Sequence, residues 1–338
     1  MTYSSGGLIQ ASDYNTFAGN TTAGLNRVWS TGSGDAGWGQ TSIATVSTGG
    51  VVTATNWATL VNALSTTGAQ EPTTITSRTA PVTGNVVAIL ANVSTDITSV
   101  TTNRGNAASA GTEVGYASGT TSATSGASNG SQGAWQIRWV HTVTFPSADQ
   151  ARYFFNAGGR VRLQFGKSST GTDLDPDWNQ LAGWCGSIYL AGYVNSAAQT
   201  VAGVSYTGTT RIGGTGGTQT ALTTTTGWYG LGSTVPGTGI FTLYSTTAPY
   251  TTSYIIVQAA TSSTVLTLST TWSQQAVSAA GTTTNISGGS APAAGATSIG
   301  AATAPTTLCT YIPPSTAQGL SASWGTPSIA ASVTVVPL

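Results

Sequence analysis

Hydrophobic and polar residues alternate most strictly between Trp135 and Phe145. Trp135, Ile137, Trp139, His141, Val143 and Phe145 share one face, and mostly polar residues share the other, as in a half-buried strand. The alternation returns in Arg160–Phe165, with Val161, Leu163 and Phe165 expected inward and Arg160, Arg162 and Gln164 outward. Between the two lies a short helical signal. Ser147 or Asp149 can cap its start, and Gly158 can take the left-handed conformation that ends it. This strand, helix and strand are dense in aromatic residues and are expected to form the core of the second half.

The pattern in the first hundred residues is helical and weakly repeated. Gly7-Leu8-Ile9-Gln10-Ala11-Ser12-Asp13-Tyr14-Asn15-Thr16-Phe17 aligns with Gly50-Val51-Val52-Thr53-Ala54-Thr55-Asn56-Trp57-Ala58-Thr59-Leu60. Trp57, Leu60, Val61 and Leu64 then keep helical spacing, with Thr55 or Asn56 as the expected cap and Gly68 as the expected end. A third copy aligns Val82–Asn92 with Val52–Asn62. Units of this size cannot each bury a core alone. Val86, Leu90, Val93, Ile97 and Val100 alternate steps of four and three, which is a heptad seam. It reads either as an intermolecular coiled coil, with these five residues driving oligomerisation, or as one amphipathic helix packed on its own domain.

Further strands are expected at Ser187–Ala191, Gly239–Tyr244, Ser253–Gln258, Thr264–Thr271, Leu308–Ile312 and Ser332–Val336, with turn residues between them. The predicted fold is mainly β with short N-terminal helices: small helical repeat units followed by a C-terminal antiparallel β-sandwich-like domain. The expected organisation is a helical anchoring or oligomerisation region over 1–104, a Gly/Ser/Thr/Ala-rich linker over 105–134 and a β-rich body over 135–338. Gly281–Thr307 reads as a long excursion of low complexity.

Composition narrows the function. The 338 residues include nine Lys or Arg and nine Asp or Glu, so charged residues are 5% and the formal net charge is zero. Ordinary domains carry about 25%. Without a Lys/Arg stripe no nucleic-acid partner is expected. No run of residues is long and apolar enough to predict membrane insertion, and the start shows no basic-then-apolar leader pattern, so no signal peptide is expected. Cys185 and Cys309 are expected to be buried free thiols, since neither has a metal-ligand spacing.

Motifs with chemical meaning are few. Gly32, Gly34 and Gly37 match the dinucleotide glycine spacing, but a helical pattern precedes them and none follows, so the segment reads as a glycine-rich loop between Trp29 and Trp38. Gly126-Ala127-Ser128-Asn129-Gly130 matches the hydrolase elbow without its strand and helix. Asp173, Asp175 and Asp177 sit on alternate positions. They are candidate calcium ligands, or they mark a helix start with Asp175 as cap and Pro176 first in the helix. His141, the single histidine, is expected to pack in the core. No acid/base pair or nucleophile constellation is evident, so no catalytic residue and no cofactor is assigned and an enzyme is not expected. Trp228 and Tyr229, in a Gly-flanked loop, are candidates for receptor contact through stacking on a glycan.

Several of these segments also resemble a family. The opening Gly7–Phe17, the Gly37-Trp38-Gly39-Gln40 loop, Asp149–Gly159 and Ser323-Trp324-Gly325-Thr326-Pro327 are similar to virion structural proteins of tailed bacteriophages of the marine type, often labelled tail-fibre-like. The resemblance implies a subunit of the virion, assembled in the host cytoplasm: tail tip, baseplate or fibre, acting as a homo-oligomer (a trimer in fibres) with other virion proteins as partners and a role in host attachment. A head decoration or head-fibre protein and a carbohydrate-binding receptor module with a host surface glycan as partner stay open as alternatives. Neutral, hydroxyl-rich surfaces suit subunits packed in symmetric arrays.

Overall fold

A computed structural model describes residues 10–84, 92–110, 112–119, 135–167, 174–192, 199–201, 204–206, 209–222, 227–247, 251–274 and 305–337. The N-terminal layer holds helices α1 (Ala11–Ala18), α2 (Asn26–Trp29), α3 (Ala54–Gln70) and α4 (Val93–Asn103). The internal repeat is visible as repeated capping. Gln10 and Thr53 occupy equivalent positions, and each forms a reciprocal capping box with the residue three places on, Asp13 or Asn56. Thr53 therefore replaces the expected Thr55 or Asn56 as cap, and α3 runs through Gly68 to Gln70. The equivalent aromatics Tyr14 and Trp57 meet edge to face at 5.4 Å, so the two copies bury their apolar faces on each other. Phe17, Leu25, Ile43, Leu60 and Leu64 complete that core.

The extended chain after the glycine-rich loop has no strand partner here. Two asparagines supply what a neighbouring strand would. Asn15 donates to Val46 O at 2.8 Å and accepts from Val46 N at 2.8 Å, while Asn26 does the same to Ile43 at 2.9 and 2.9 Å. Buried backbone polar groups need such partners.

The body is two antiparallel sheets. The elements in chain order are β1 (Val114–Gly119), β2 (Trp135–Thr144), α5 (Ala148–Asn156), β3 (Arg160–Gly166), α6 (Leu174–Cys185) and β4 (Ser187–Leu190). They continue as β5 (Gln199–Val201), β6 (Val204–Tyr206), β7 (Thr210–Ile212), β8 (Thr218–Leu222), β9 (Thr238–Tyr244), β10 (Tyr254–Thr261), β11 (Val265–Gln274), β12 (Thr306–Ile312) and β13 (Ser328–Pro337). One sheet has the order β1-β12-β3-β4-β7 and the other β13-β2-β11-β10-β9-β8, with β5 and β6 forming a separate ribbon. This β-rich architecture with a few short helices is consistent with a β-sandwich. All six strands expected in the C-terminal half are present, with shifted ends.

The expected strand–helix–strand block spans both sheets: β2 lies in the six-stranded sheet, β3 in the five-stranded one, and α5 carries the chain between them. Ile137, Trp139, His141 and Val143 are buried as the alternation predicts. On β3 the prediction fails at Arg160, which is 1% exposed and donates to Gly158 O at 2.9 Å. Trp272 ties the sheets together. It packs on Trp139 of its own sheet (6.0 Å), on Trp178 of α6 (5.2 Å) and on Phe165 of β3 (6.3 Å), and its indole N–H donates across to Thr307 Oγ1 at 3.2 Å.

The linker expected over 105–134 is in part a piece of the body. Ala107 is a core residue, Ser109 bridges Pro314, and β1 pairs antiparallel with β12. Thr307, assigned from sequence to the long excursion, is buried in β12 beside Thr306. Residues 120–134, which include the hydrolase-elbow match, and residues 281–304 of that excursion lie outside the described residues.

Candidate functional site

The body and the helical layer meet where the glycine-rich loop folds onto α5. Local sequence makes both partners. Ser147 caps α5 by accepting from Gln150 N at 3.1 Å, and the helix then presents Arg152 and Asn156 one turn apart on the side that faces the loop. The loop turns back on α2 through Trp38 N to Val28 O and Gly39 N to Ser30 O. That path needs left-handed backbone at Gly37 and Gly39 (φ +98° and +70°), and at Gly39 a Cβ would sit 2.4 Å from the Tyr153 ring.

The contacts at this junction are polar and mutual. The Trp38 indole N–H donates to Asn156 O at 3.0 Å, and the Asn156 amide donates to Gly34 O and Gly37 O at 3.3 and 3.2 Å. The Arg152 guanidinium is received by three loop carbonyls, Thr31, Gly34 and Ala36, at 3.0–3.2 Å, and by the Asp149 carboxylate at 3.0 Å. The C-terminal segment closes the far side. Gln40, 5% exposed, accepts from Ser321 N and Oγ at 2.8 and 2.7 Å and donates to Ser321 O at 2.9 Å. Ser323 Oγ donates to Trp38 O at 2.6 Å, Trp324 is buried in the core, and Gly325 lies against the Gln150 amide. Thus three of the four segments quoted above, 37–40, 149–159 and 323–327, converge on one place. What the arrangement does is hold: its donors and acceptors are spent on one another.

A second seam lies alongside. Gln70 at the end of α3 donates to Ala108 O and Ala157 O at 2.8 and 3.0 Å, and its own carbonyl accepts from Ala108 N at 2.9 Å. Ser109 Oγ donates to Gly158 O at 2.6 Å. Gly158 has φ +107° and leaves no room for a side chain against Ala107 O. Next to Gln70, Glu71 is 1% exposed, and burial pushes its carboxyl well above the usual range, against the opposing pull of Arg104.

The residues named from sequence fall elsewhere. Val93, Ile97 and Val100 of the heptad seam are buried in the chain's own helical core, at 1%, 7% and 0% exposure. The physical reason is that α4 starts at Val93, after Asn92 in left-handed conformation, so no single helix carries the seam across that point. Val86 and Leu90 lie outside the described residues. Trp228 is not an exposed receptor residue. It is 6% exposed and stacks on Phe155 at 4.9 Å, within an aromatic cluster that includes Phe145. Tyr229 is half-buried, its hydroxyl shared between Asn156 Oδ1 at 2.6 Å and Gly34 O at 3.0 Å, which makes it part of the junction.

Asp175 and Asp177 lie in the first turn of α6, which starts at Leu174, one residue before the expected cap; Asp173 lies outside the described residues. Among the described residues no three metal-ligating side chains cluster, and no helix is long and apolar enough to cross a membrane. Cys185 and Cys309 are buried free thiols whose ionisation burial opposes strongly.

Sequence reasoning missed Arg152, Asn156, Gln40 and Ser321 as parts of one site. The signal that could have found them is polar residues of high bonding capacity beside glycines that a loop cannot spare. No family model, no curated protein and no solved structure matches this chain.

Proposed function

We propose that the chain is a structural subunit of a tailed-phage virion, in the tail tip, baseplate or a fibre, assembling as a homo-oligomer and taking part in host attachment. The observation that carries this reading is the convergence of the Trp38, Arg152–Asn156 and Ser321–Trp324 segments. Three of the stretches that resemble virion proteins are the stretches that lock the loop, α5 and the C-terminal segment together. A set of residues spent on rigidity suits a protein that transmits position and load. A surface drawn from a chain with 5% charged residues suits close packing against copies of itself. The oligomer in this reading rests on that surface and on the resemblance. It no longer rests on the seam at Val93–Val100.

The test is direct. Particles from an infected culture are purified on a density gradient, digested and examined by mass spectrometry, and intact particles are labelled with an antibody against this chain. The expected result is the chain in stoichiometric amount, with label on the tail. Label on the capsid would transfer the reading to a head-fibre or decoration protein. Absence of the chain from purified particles would sink it.

A further inference from the structure

Consecutive residues at the end of α3 bury three acceptor oxygens that no donor in the protein reaches. Glu71 is 1% exposed, and both of its carboxylate oxygens are buried without a hydrogen-bond partner. Gln70 beside it is 0% exposed, and its Oε1 is without a partner too. The donors these two residues carry are already used. The Gln70 amide donates to Ala108 O and Ala157 O, and the Glu71 N–H donates to Thr67 O at 3.1 Å. The turn that follows fixes the backbone on the other side, with Thr73 N–H on Gly68 O at 2.8 Å and Thr73 Oγ1 on Glu71 O at 3.2 Å. A buried carboxylate with no hydrogen bond is costly, whereas the neutral carboxyl, which brings its own donor, is cheap in the same place.

We propose that Glu71 is a proton-binding site built into the fold: the folded chain holds this carboxyl neutral and gives up the proton on unfolding, so the protein is held most firmly in mildly acid solution and loses stability as pH rises. No rearrangement of the folded protein is involved. The proton is bound by the folded state and released by the unfolded one, in which water solvates the carboxylate. The charges on the surrounding elements are few. Helix α3 itself has none. On α1, Asp13 is held in its own capping box, and α2 brings Arg27. On α4, Asp96 is committed to Arg78 and to Thr76 N, and in the turn after it Arg104 is paired with Asp35. Across the seam, Asp149 and Arg152 of α5 are paired, and Arg160 donates to Gly158 O. Of these, the charge of Arg104 favours the ionised form of Glu71, and burial outweighs it.

The raised carboxyl sets the sign. Between the ordinary carboxyl value, about 4.3, and the ionisation of Glu71 in the folded protein, the folded state binds one proton more than the unfolded state. The stability that this site contributes is therefore complete below the ordinary range and is lost as pH rises from there to the folded-state ionisation. The site stands whether or not the chain is a virion subunit.

Urea unfolding of the full chain between about pH 5 and 9, with Glu71→Gln measured alongside, tests the proposal. The variant keeps the size of the side chain and cannot titrate. His141, the single histidine, is present in both proteins, so the comparison removes its contribution to the pH dependence. The expected result is that the unfolding constant of the wild type, divided by that of the variant, rises by about tenfold per pH unit and then levels, the slope being that of one released proton. A ratio that stays constant with pH, or falls, overturns the proposal. A merely structural role for Glu71 would shift the ratio by the same factor at every pH. Should Glu71→Gln not fold, carbon-13 NMR of the wild-type Glu71 carboxyl decides. Ionisation in the ordinary carboxyl range overturns the proposal, and ionisation well above that range upholds it.

Discussion

Single glycines and amides set the geometry of the junction, and two glycines of one loop separate its causes. Gly39 and Gly34 both have positive φ, +70° and +57°. A Cβ at Gly39 would strike the Tyr153 ring, whereas at Gly34 it would meet nothing within 4 Å. Gly34→Ala therefore bears only the left-handed backbone cost, about 1–2 kcal/mol. Gly39→Ala adds the displacement of the buried Tyr153 ring, for a total of about 2–5 kcal/mol. Urea unfolding of the two variants checks the difference; equal losses would mean that the ring moves aside freely. The same scale explains two misreadings. Trp228 stands between glycines and looks exposed in sequence, but local neighbours do not report that Phe155 lies 4.9 Å away. Arg160 alternates outward on paper, yet the carbonyl of Gly158, freed by the end of α5, is there to receive it.

Elements were legible where burial imposes a period. On β2 the buried face repeats every second residue, and the strand pairs without a bulge to β11 on one side and β13 on the other. Strands β1, β7 and β8 lie in Gly- and Thr-rich stretches whose side chains carry little contrast between faces, so alternation could not mark them. The helical repeat was legible to the residue at Tyr14 and Trp57. Its caps were not, because Asn56 sits inside a box whose other half is Thr53. Periodicity also found the apolar face of α4 without saying what covers it. The cover is α1, α2 and α3 of the same chain, since Val100 shares a buried cluster with Tyr14, Leu25 and Leu60. A charge at Val100 should accordingly unfold the helical layer, not merely dissociate an oligomer. Val100→Asp is expected to cost more than about 4 kcal/mol. Loss of helical circular dichroism at ambient temperature would show it, while a variant that keeps its helix signal and only changes native mass would return the seam to an intermolecular role.

At the scale of the whole molecule, the helical layer and the two-sheet body are joined by bonds between residues far apart in sequence. Gln40 reaches Ser321 and Ser323 across more than 280 residues, and Trp38 reaches Asn156 across 118. Periodicity cannot foresee such pairs, because each is set by the meeting of two irregular segments; this is why the separate regions drawn from composition merge into one junction. The consequence is cooperative unfolding. If the layer and the body were beads on a linker, far-ultraviolet dichroism of the helices and fluorescence of Trp139, Trp178 and Trp272 would report different midpoints. Joined as they are, the two signals should coincide. Gln40→Ala tests the coupling most sharply. Removing that amide takes the partners of Ser321 N and Ser321 O, on an exposed residue where water can replace them, at about 0.5–1.5 kcal/mol for each bond lost, while Trp38 O keeps its bond from Ser323 Oγ. The expected outcome is a lower midpoint and two separated transitions, the C-terminal segment and loop releasing before the sheets. A single transition at the wild-type midpoint would show that the aromatic core alone carries the union, and that the Gln40 bonds are a consequence of the fit between the two parts.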